Sequence, residues 1–330
     1  MLYTTLPGTD LRVSSLCLGT ADFGSTIDES TAFRMLDSFL DSGGNFIDTA
    51  KIYADWLPGE RSISEKTIGR WLRQSSKRHR IILATKGAHP HLETMLTPRL
   101  SRAEILSDLD ASLRHLGVEV IDLYWLHRDD PNRPVAEILE TLNEAVRQGK
   151  IRAFGCSNWR VERIRAAHET ALAHGLVPFI ADQMFWNLAL VDPRTMGDST
   201  LVAMDEPLRR YHCETGLAAI PYSSQANGFF NKMARGQVDA LNPLHRQMYL
   251  HAENLARFQR ADQLCRETGL SITQVILGYL LSQPFPTVPI IGPRTLEQLA
   301  DSLSAAEIRL TPEQIRTLEQ GASRELPLEL

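Results

Sequence analysis

The chain has 330 residues, of which 43% are apolar and 23% charged, and this is the composition of a soluble globular protein. Its formal net charge of −5 argues against nucleic acid as the main partner, because phosphate backbones usually require a basic surface. The first residues lack a signal peptide's basic and apolar regions, and no apolar run is long enough to cross a bilayer. We therefore expect a cytoplasmic protein without a membrane partner. The scattered cysteines favour structural thiols over a disulfide framework.

Short apolar runs rich in β-branched residues alternate with segments of helical period along most of the chain. The N-terminal stretch Leu2–Val13, interrupted by Pro7–Asp10, predicts a β-hairpin. The alternation that follows is typical of βα units around a parallel sheet. Eight strands are predicted, at Leu16–Gly19, Phe46–Asp48, Ile81–Thr85, Ile121–Leu126, Ala153–Cys156, Phe179–Gln183, Ala218–Pro221 and Val288–Ile291.

Helix starts are marked by Ser or Thr followed three residues later by Glu or Gln. At this spacing the two side chains can satisfy free backbone N–H groups reciprocally. The last pair precedes a helix beyond the eighth unit, with Pro312 at its first position. The pairs are Ser62 and Glu65, Ser101 and Glu104, Ser271 and Gln274, Thr295 and Gln298, and Thr311 and Gln314.

The predicted fold class is α/β, a (β/α)8 TIM barrel of one domain covering residues 1–330, with the N-terminal hairpin capping its bottom. Successive strands are mostly about 25 to 40 residues apart, and no linker rich in Ser, Gly or Pro divides the chain. An open doubly wound sheet is the alternative. Long connections at the C-terminal face of the strands predict functional loops. These connections are Ala54–Arg61, Gly87–Leu100, Leu188–Leu201 and Tyr222–Leu250.

Four polar side chains lie at or just beyond the ends of three consecutive predicted strands. Asp48 ends the second strand and Tyr53 follows it, while Lys86 and His127 come at the ends of the third and fourth. Each alone has a structural interpretation, as a helix cap, a half-buried aromatic, a solvated charge or a rim histidine. Together at one barrel mouth they favour a catalytic site, because a phenol can act as an acid where a cation stabilises its phenolate.

The sequence resembles the aldo-keto reductase superfamily from Leu11 to about Leu303. The resemblance is carried by Gly44–Tyr53, by Thr85-Lys86 and by Leu126–Pro131. It implies a single-domain barrel that reduces an aldehyde or ketone with a nicotinamide cofactor.

The same resemblance assigns roles to the four polar residues. Tyr53 would be the general acid, its pKa lowered by Lys86, which Asp48 would hold in place. His127 would orient the substrate oxygen. A dinucleotide-binding or redox-sensing module without catalysis is the alternative, and the intact set of four residues favours the enzyme.

The cofactor would lie extended across the barrel mouth, because no Gly-x-Gly-x-x-Gly follows a predicted strand and a Rossmann site is not expected. By resemblance, Ser157, Asn158 and Gln183 would hold the nicotinamide carboxamide and Trp186 would stack on its ring. The pyrophosphate would lie on the loop after strand seven, and the adenosine end on the segment after strand eight. The predicted loop residues are Tyr222, Ser223, Ser224, Gln225 and Gly228; the adenosine-end residues are Gly292, Arg294, Gln298, Asp301 and Ser302; Gly19, Thr20 and Asp48 complete the cofactor set.

Arg294 is placed to pair with a ribose 2′-phosphate, so we expect NADPH rather than NADH. Trp56, Trp125 and His127 are the predicted substrate-binding residues, although Trp125 could face the core. No metal is expected, because His89 and His91 lack the further ligands that a zinc site needs. This leaves a metal-dependent barrel hydrolase without support. By resemblance, the expected partner is a small carbonyl compound.

Overall fold

The computed structural model describes residues 1–320, in which eight parallel strands form a barrel. Strand β10 (Ile290–Ile291) pairs with β3 (Cys17–Gly19), and backbone hydrogen bonds bridge the seam between β9 (Ala218–Ala219) and β10. Ala219 N–H donates to Pro286 O at 2.8 Å, and Val288 N–H donates to Ala219 O at 2.9 Å. The sheet is therefore a closed barrel rather than an open one. Its strands are β3 (Cys17–Gly19), β4 (Phe46–Asp48), β5 (Ile82–Gly87), β6 (Ile121–Leu126), β7 (Ile151–Ser157), β8 (Ala181–Gln183), β9 (Ala218–Ala219) and β10 (Ile290–Ile291).

The N-terminal hairpin closes the bottom of the barrel, as predicted. Strands β1 (Tyr3–Thr5) and β2 (Arg12–Ser14) pair antiparallel, and Ser14 N–H donates to Asn45 Oδ1 just before β4. Leu6, Leu11 and Val13 are buried in one cluster with the inward-facing residues of the barrel strands.

Helices surround the barrel, and two more, α7 and α8, lie in the long connection after β9. Within residues 1–320 no helix has the length and apolar character needed to cross a membrane. The helices are α1 (Glu29–Asp41), α2 (Ile63–Ser75), α3 (Arg102–Leu116), α4 (Val135–Arg147), α5 (Val161–His174), α6 (Glu206–Thr215), α7 (Phe229–Ala234), α8 (Pro243–Tyr249), α9 (Ala252–Thr268), α10 (Ile272–Leu281), α11 (Leu296–Leu303) and α12 (Pro312–Gln320).

Reciprocal caps form at Ser101, Ser271 and Thr311, as predicted. Thr295 caps α11, but its partner Gln298 accepts from Arg294 N–H instead of closing the box.

The prediction for Ser62 is wrong. Ser62 adopts φ 55° and its side chain makes no cap, because its N–H is held by Asp55 Oδ1 in the preceding loop. Glu65 is instead buried and accepts from Thr85 Oγ1 at 2.6 Å.

Candidate active site

Three of the four predicted catalytic side chains are bonded to one another at the barrel mouth. The Lys86 ammonium, 1% exposed at the end of β5, forms an ion pair with Asp48 at the end of β4. Lys86 Nζ also donates to Tyr53 OH at 2.7 Å and to Thr49 O at 2.9 Å. All three ammonium donors therefore have partners, and the second oxygen of Asp48 accepts from Gln183 Nε2 at 3.2 Å.

The charges in this cluster act in opposite directions on the phenol. Burial by itself disfavours the Lys86 ammonium, but Asp48 and Tyr53 outweigh it and raise the pKa of Lys86. Burial raises the pKa of the Tyr53 phenol, and Lys86 only partly opposes this. The net direction is therefore upward, opposite to the lowered pKa that the resemblance implies, because desolvation of the phenolate outweighs the nearby cation.

His127 follows β6 and is 8% exposed, with its ring centroid 6.1 Å from that of Tyr53. Burial, with the nearby His89 and Arg128, lowers the pKa of His127 well below its usual value. The imidazole is therefore neutral at physiological pH and can donate from one ring nitrogen. Among the described residues nothing bonds to its buried Nδ1.

Two charged residues that the sequence did not single out hold this cluster in place. Asp108 on α3 accepts from Ala88 N–H at 2.9 Å and pairs with Lys51 and Arg99. Asp108 thereby links two segments, the one that leads to Tyr53 and the loop after β5.

Arg128 is the second such residue. It donates to His127 O at 2.8 Å, to Thr200 Oγ1 at 2.7 Å and to Asp198 Oδ2 at 3.0 Å. The connection 188–201 is therefore anchored beside His127. The only sequence signal for this role was an arginine directly after the histidine.

The residues predicted to hold a nicotinamide lie together, except that Tyr222 lies beside them in place of Trp186. Tyr222 OH donates to Asn158 Oδ1 at 2.6 Å, and Asn158 Nδ2 donates to Ser157 Oγ at 3.1 Å. The Tyr222 ring is half-buried beside them.

The prediction for Trp186 is wrong. Its side chain, 7% exposed, stacks on Phe285 and contacts Tyr279 of α10, so it packs in the helical layer outside the strands. Three residues past Gln183 the chain has left the strand, and the aromatic side chain bonded to the predicted carboxamide residues is instead that of Tyr222.

The loop after β9 forms a turn in which four residues have positive φ, and such turns direct backbone N–H groups into an anion-binding concavity. They are Ser223, Ala226, Asn227 and Gly228. Lys232 Nζ, absent from the predictions, donates to Asn227 O at 3.2 Å beside this turn. Ser224 Oγ donates to Ile290 O, and Gln225 Nε2 donates to Ser302 Oγ, so these side chains fasten the loop to the segment after β10.

In the segment predicted to hold the adenosine end, Arg294 is 73% exposed and pairs with Asp22 at 3.3 Å. A Cβ on Gly292 would meet nothing within 4 Å, so a ligand could approach the backbone there. Asp301 accepts from Thr273 Oγ1, so one oxygen of its carboxylate is already bonded to α10. A Cβ on Gly19 would lie 2.7 Å from the Ile290 side chain, and Thr20 Oγ1 donates to Asp48 O, so both lie beside Asp48 where the strands end.

The two predicted tryptophans differ in position. Trp56 is 51% exposed and lies 6.3 Å from the Tyr53 ring, where it can line a pocket. Trp125 is fully buried among the inward-facing barrel residues. Its prediction as a pocket wall is wrong, because its side chain points into the barrel core below the mouth.

Within residues 1–320 no three His, Cys, Asp or Glu side chains are grouped as metal ligands.

Comparison with known proteins agrees with this geometry. Residues 15–322 match the model of the Aldo/keto reductase family. The oxidoreductase YrpG of Bacillus subtilis is 36% identical over 96% of this chain and 95% of its own length. Norsolorinic acid reductase A of Aspergillus parasiticus is 28% identical over 96% of this chain and 79% of its own length. The NADP(+) aryl-alcohol dehydrogenase of Phanerodontia chrysosporium is 29% identical over 94% of this chain and 83% of its own length.

The crystal structure of the thermostable aldo-keto reductase Tm1743, a complex with the inhibitor epalrestat, has the same fold. It superposes with a TM-score of 0.70 at 24% identity, covering 98% of this chain and 100% of that one. The chain belongs to the aldo/keto reductase family, and is thus an oxidoreductase of the kind that reduces carbonyl groups.

Proposed function

We propose that the protein is an NADPH-dependent oxidoreductase that converts an aldehyde or ketone to an alcohol. The observation that carries the proposal is the Lys86 ammonium held between Asp48 and the Tyr53 hydroxyl, with 2.7 Å between Nζ and the phenol oxygen. This arrangement suits a phenol that must lose a proton at neutral pH, because the cation stabilises the phenolate as it forms.

In the proposed mechanism the carbonyl oxygen lies between Tyr53 and His127. A bound nicotinamide would supply the hydride for the carbonyl carbon. Tyr53 gives its proton to the carbonyl oxygen, and Lys86, fixed by Asp48, stabilises the phenolate left behind. Neutral His127 donates a hydrogen bond to the same oxygen and fixes the substrate's orientation. The hydride and the proton together account for the two hydrogens that are added to the carbonyl group, one on carbon and one on oxygen.

The residues present fit a dinucleotide carrying a 2′-phosphate. The turn 223–228 offers backbone N–H groups to a pyrophosphate, with Lys232 beside it. Burial lowers the pKa of Lys232, and the charge of the nearby, exposed Arg294 lowers it further. Burial also lowers the pKa of His245, and the charges of Lys232 and Arg294 add to this effect. We define Lys232 and Arg294 as the cation cluster. It would pair with the 2′-phosphate that distinguishes NADPH from NADH.

Aromatic carbonyl compounds are the substrates we propose. Trp56 presents a half-exposed ring beside Tyr53, and an aromatic surface of this kind packs well against a planar substrate. Two of the relatives are named for norsolorinic acid and for aryl alcohols, which agrees with such a pocket.

The direct test is to incubate the purified protein with NADPH and a panel of aromatic and aliphatic aldehydes. Oxidation of NADPH is measured as the loss of its absorbance. We expect turnover with at least one aromatic member. Tight binding of NADPH without turnover of any carbonyl compound would overturn the reductase proposal and leave the dinucleotide-binding module.

A further inference from the structure

A second histidine, His89, lies at the mouth and has no part in the mechanism above. Its ring centroid is 4.6 Å from that of His127, and the two planes meet at 67°. Each ring limits where the other can turn, so the substrate oxygen bonded to His127 would have His89 as its neighbour.

The backbone around His89 is held by buried charges. Ala88 adopts φ +58°, a strained value for alanine, and its N–H is bound by Asp108. Arg99 pairs with Asp108 and also donates to His89 O at 3.0 Å. Asp108 and Arg99 therefore fix the backbone on both sides of the His89 imidazole, and such support is typical of a functional position.

The hydrogen bonding of His89 makes it an acceptor. Its Nδ1 lies 2.7 Å from Pro90 O, and a carbonyl oxygen only accepts, so Nδ1 carries the proton. Burial and the nearby Arg128 lower the pKa of His89 to about 4, so Nε2 keeps its lone pair at neutral pH. Within residues 1–320 no group bonds to this Nε2.

We propose that His89 Nε2 accepts a hydrogen bond from a hydroxyl group on the carbon next to the reacting carbonyl, so that the site selects 2-hydroxy carbonyl compounds. The inference rests on the proposed reductase function and adds a specificity-determining residue to it. His127 would donate to the carbonyl oxygen while His89 accepts from the adjacent hydroxyl. A methyl group in place of the hydroxyl would leave Nε2 desolvated and without a donor, which disfavours the deoxy compound.

Two ketones of matched shape test this, 2-hydroxyacetophenone and propiophenone, in which a methyl group replaces the hydroxyl. The measured quantity is the ratio of their kcat/KM values, so intrinsic differences in carbonyl reactivity cancel between protein variants. In His89→Phe, which keeps a ring but removes the acceptor, we expect the preference for the hydroxy ketone to fall roughly 3- to 10-fold. In His89→Gln, whose side-chain oxygen can replace Nε2, we expect most of the preference to return.

His91→Phe is the matched control, because His91 is exposed two residues away and makes no side-chain cap; it should keep the wild-type ratio. The same ratio in wild type, His89→Phe and His89→Gln would overturn the proposal, as would a loss in His89→Phe that affects both ketones equally. NADPH affinity and the melting temperature of each variant show whether the fold is intact. If the wild-type protein reduced neither these ketones nor any other carbonyl compound, the reductase function itself would fail, which is a different result.

Discussion

The barrel mouth contains two polar regions that are built in opposite ways. The proton-donor cluster, formed by Asp48, Tyr53, Lys86 and His127, lies at strand ends, and its Lys86 ammonium is almost fully buried with every donor bonded. The cation cluster lies on loops and short helices. There, Arg294 is largely exposed and pairs with Asp22, and within residues 1–320 the Lys232 ammonium bonds to a single backbone oxygen.

This difference agrees with the functions that we propose for the two regions. A proton donor needs fixed partners before the substrate arrives, since reorganisation during the reaction would raise the barrier. Cations that await a phosphate are stable in water and need no protein partner until the ligand binds. We therefore expect changes in the first region to alter rate and stability, and changes in the second to alter cofactor affinity alone.

The largest expected effect is that of Tyr53→Phe. Loss of the general acid should reduce kcat by about 10²- to 10⁴-fold, while the affinity for NADPH stays nearly unchanged. Single-turnover kinetics and a fluorescence titration with NADPH measure the two quantities. A variant that keeps more than about a tenth of the rate would remove Tyr53 from the proton-donating role.

Breaking the buried ion pair should destabilise the fold. Lys86→Met leaves the Asp48 carboxylate buried without its cation, and we expect the free energy of unfolding to fall by about 3–5 kcal/mol. Urea unfolding measures the change. The double variant Asp48→Asn/Lys86→Met should recover much of the stability but none of the activity.

Lys150→Met is the control for the ion pair. Lys150 pairs with Asp110 at 2.7 Å on the surface, where such a pair contributes only about 0–1 kcal/mol. Equal losses of stability in the two lysine variants would contradict the distinction between the buried pair and a solvated one.

In the cation cluster, Arg294→Ala should raise the dissociation constant of NADPH by about 10- to 100-fold, because charged hydrogen bonds contribute about 1.5–3 kcal/mol. The affinity for NADH, which lacks the 2′-phosphate, should hardly change. Arg194→Ala is the matched control, since Arg194 is 89% exposed in the connection after β8 and, among the described residues 1–320, forms an ion pair only with Asp192. If Arg294→Ala weakened both cofactors equally, the residue would not be reading the 2′-phosphate.

The same contrast explains what could be predicted from the sequence. Strand ends point in known directions, so the spacing of Asp48 and Lys86 was sufficient to place them at one mouth. Trp186 was misplaced because it lies past the end of β8, where strand alternation no longer determines direction, and Trp125 because a strand residue beside a site can face inward. Asp108 and Arg128 act through contacts distant in sequence, with Lys51 and Thr200, and no local pattern reports those.

The smallest effect we predict concerns the stability of the fold at acid pH. His89 has a folded pKa of about 4, below the value of about 6.5 expected in the unfolded chain. Between these values the unfolded chain binds more protons, so the free energy of unfolding falls as the pH drops below about 6.5. The charged and titratable side chains near His89, which also influence this pH dependence, are those of His127, Arg128, Arg99 and Asp198.

Wild-type protein should therefore lose about 1 to 2 kcal/mol more than His89→Phe between pH 7 and pH 5. Urea unfolding at the two pH values measures this loss, and the exposed His91→Phe should behave like the wild type. Equal losses in wild type and His89→Phe would mean that His89 is protonated as readily in the folded protein as in water. In that case its Nε2 would not be held as an acceptor beside His127, and the selection of 2-hydroxy compounds would lose its physical basis.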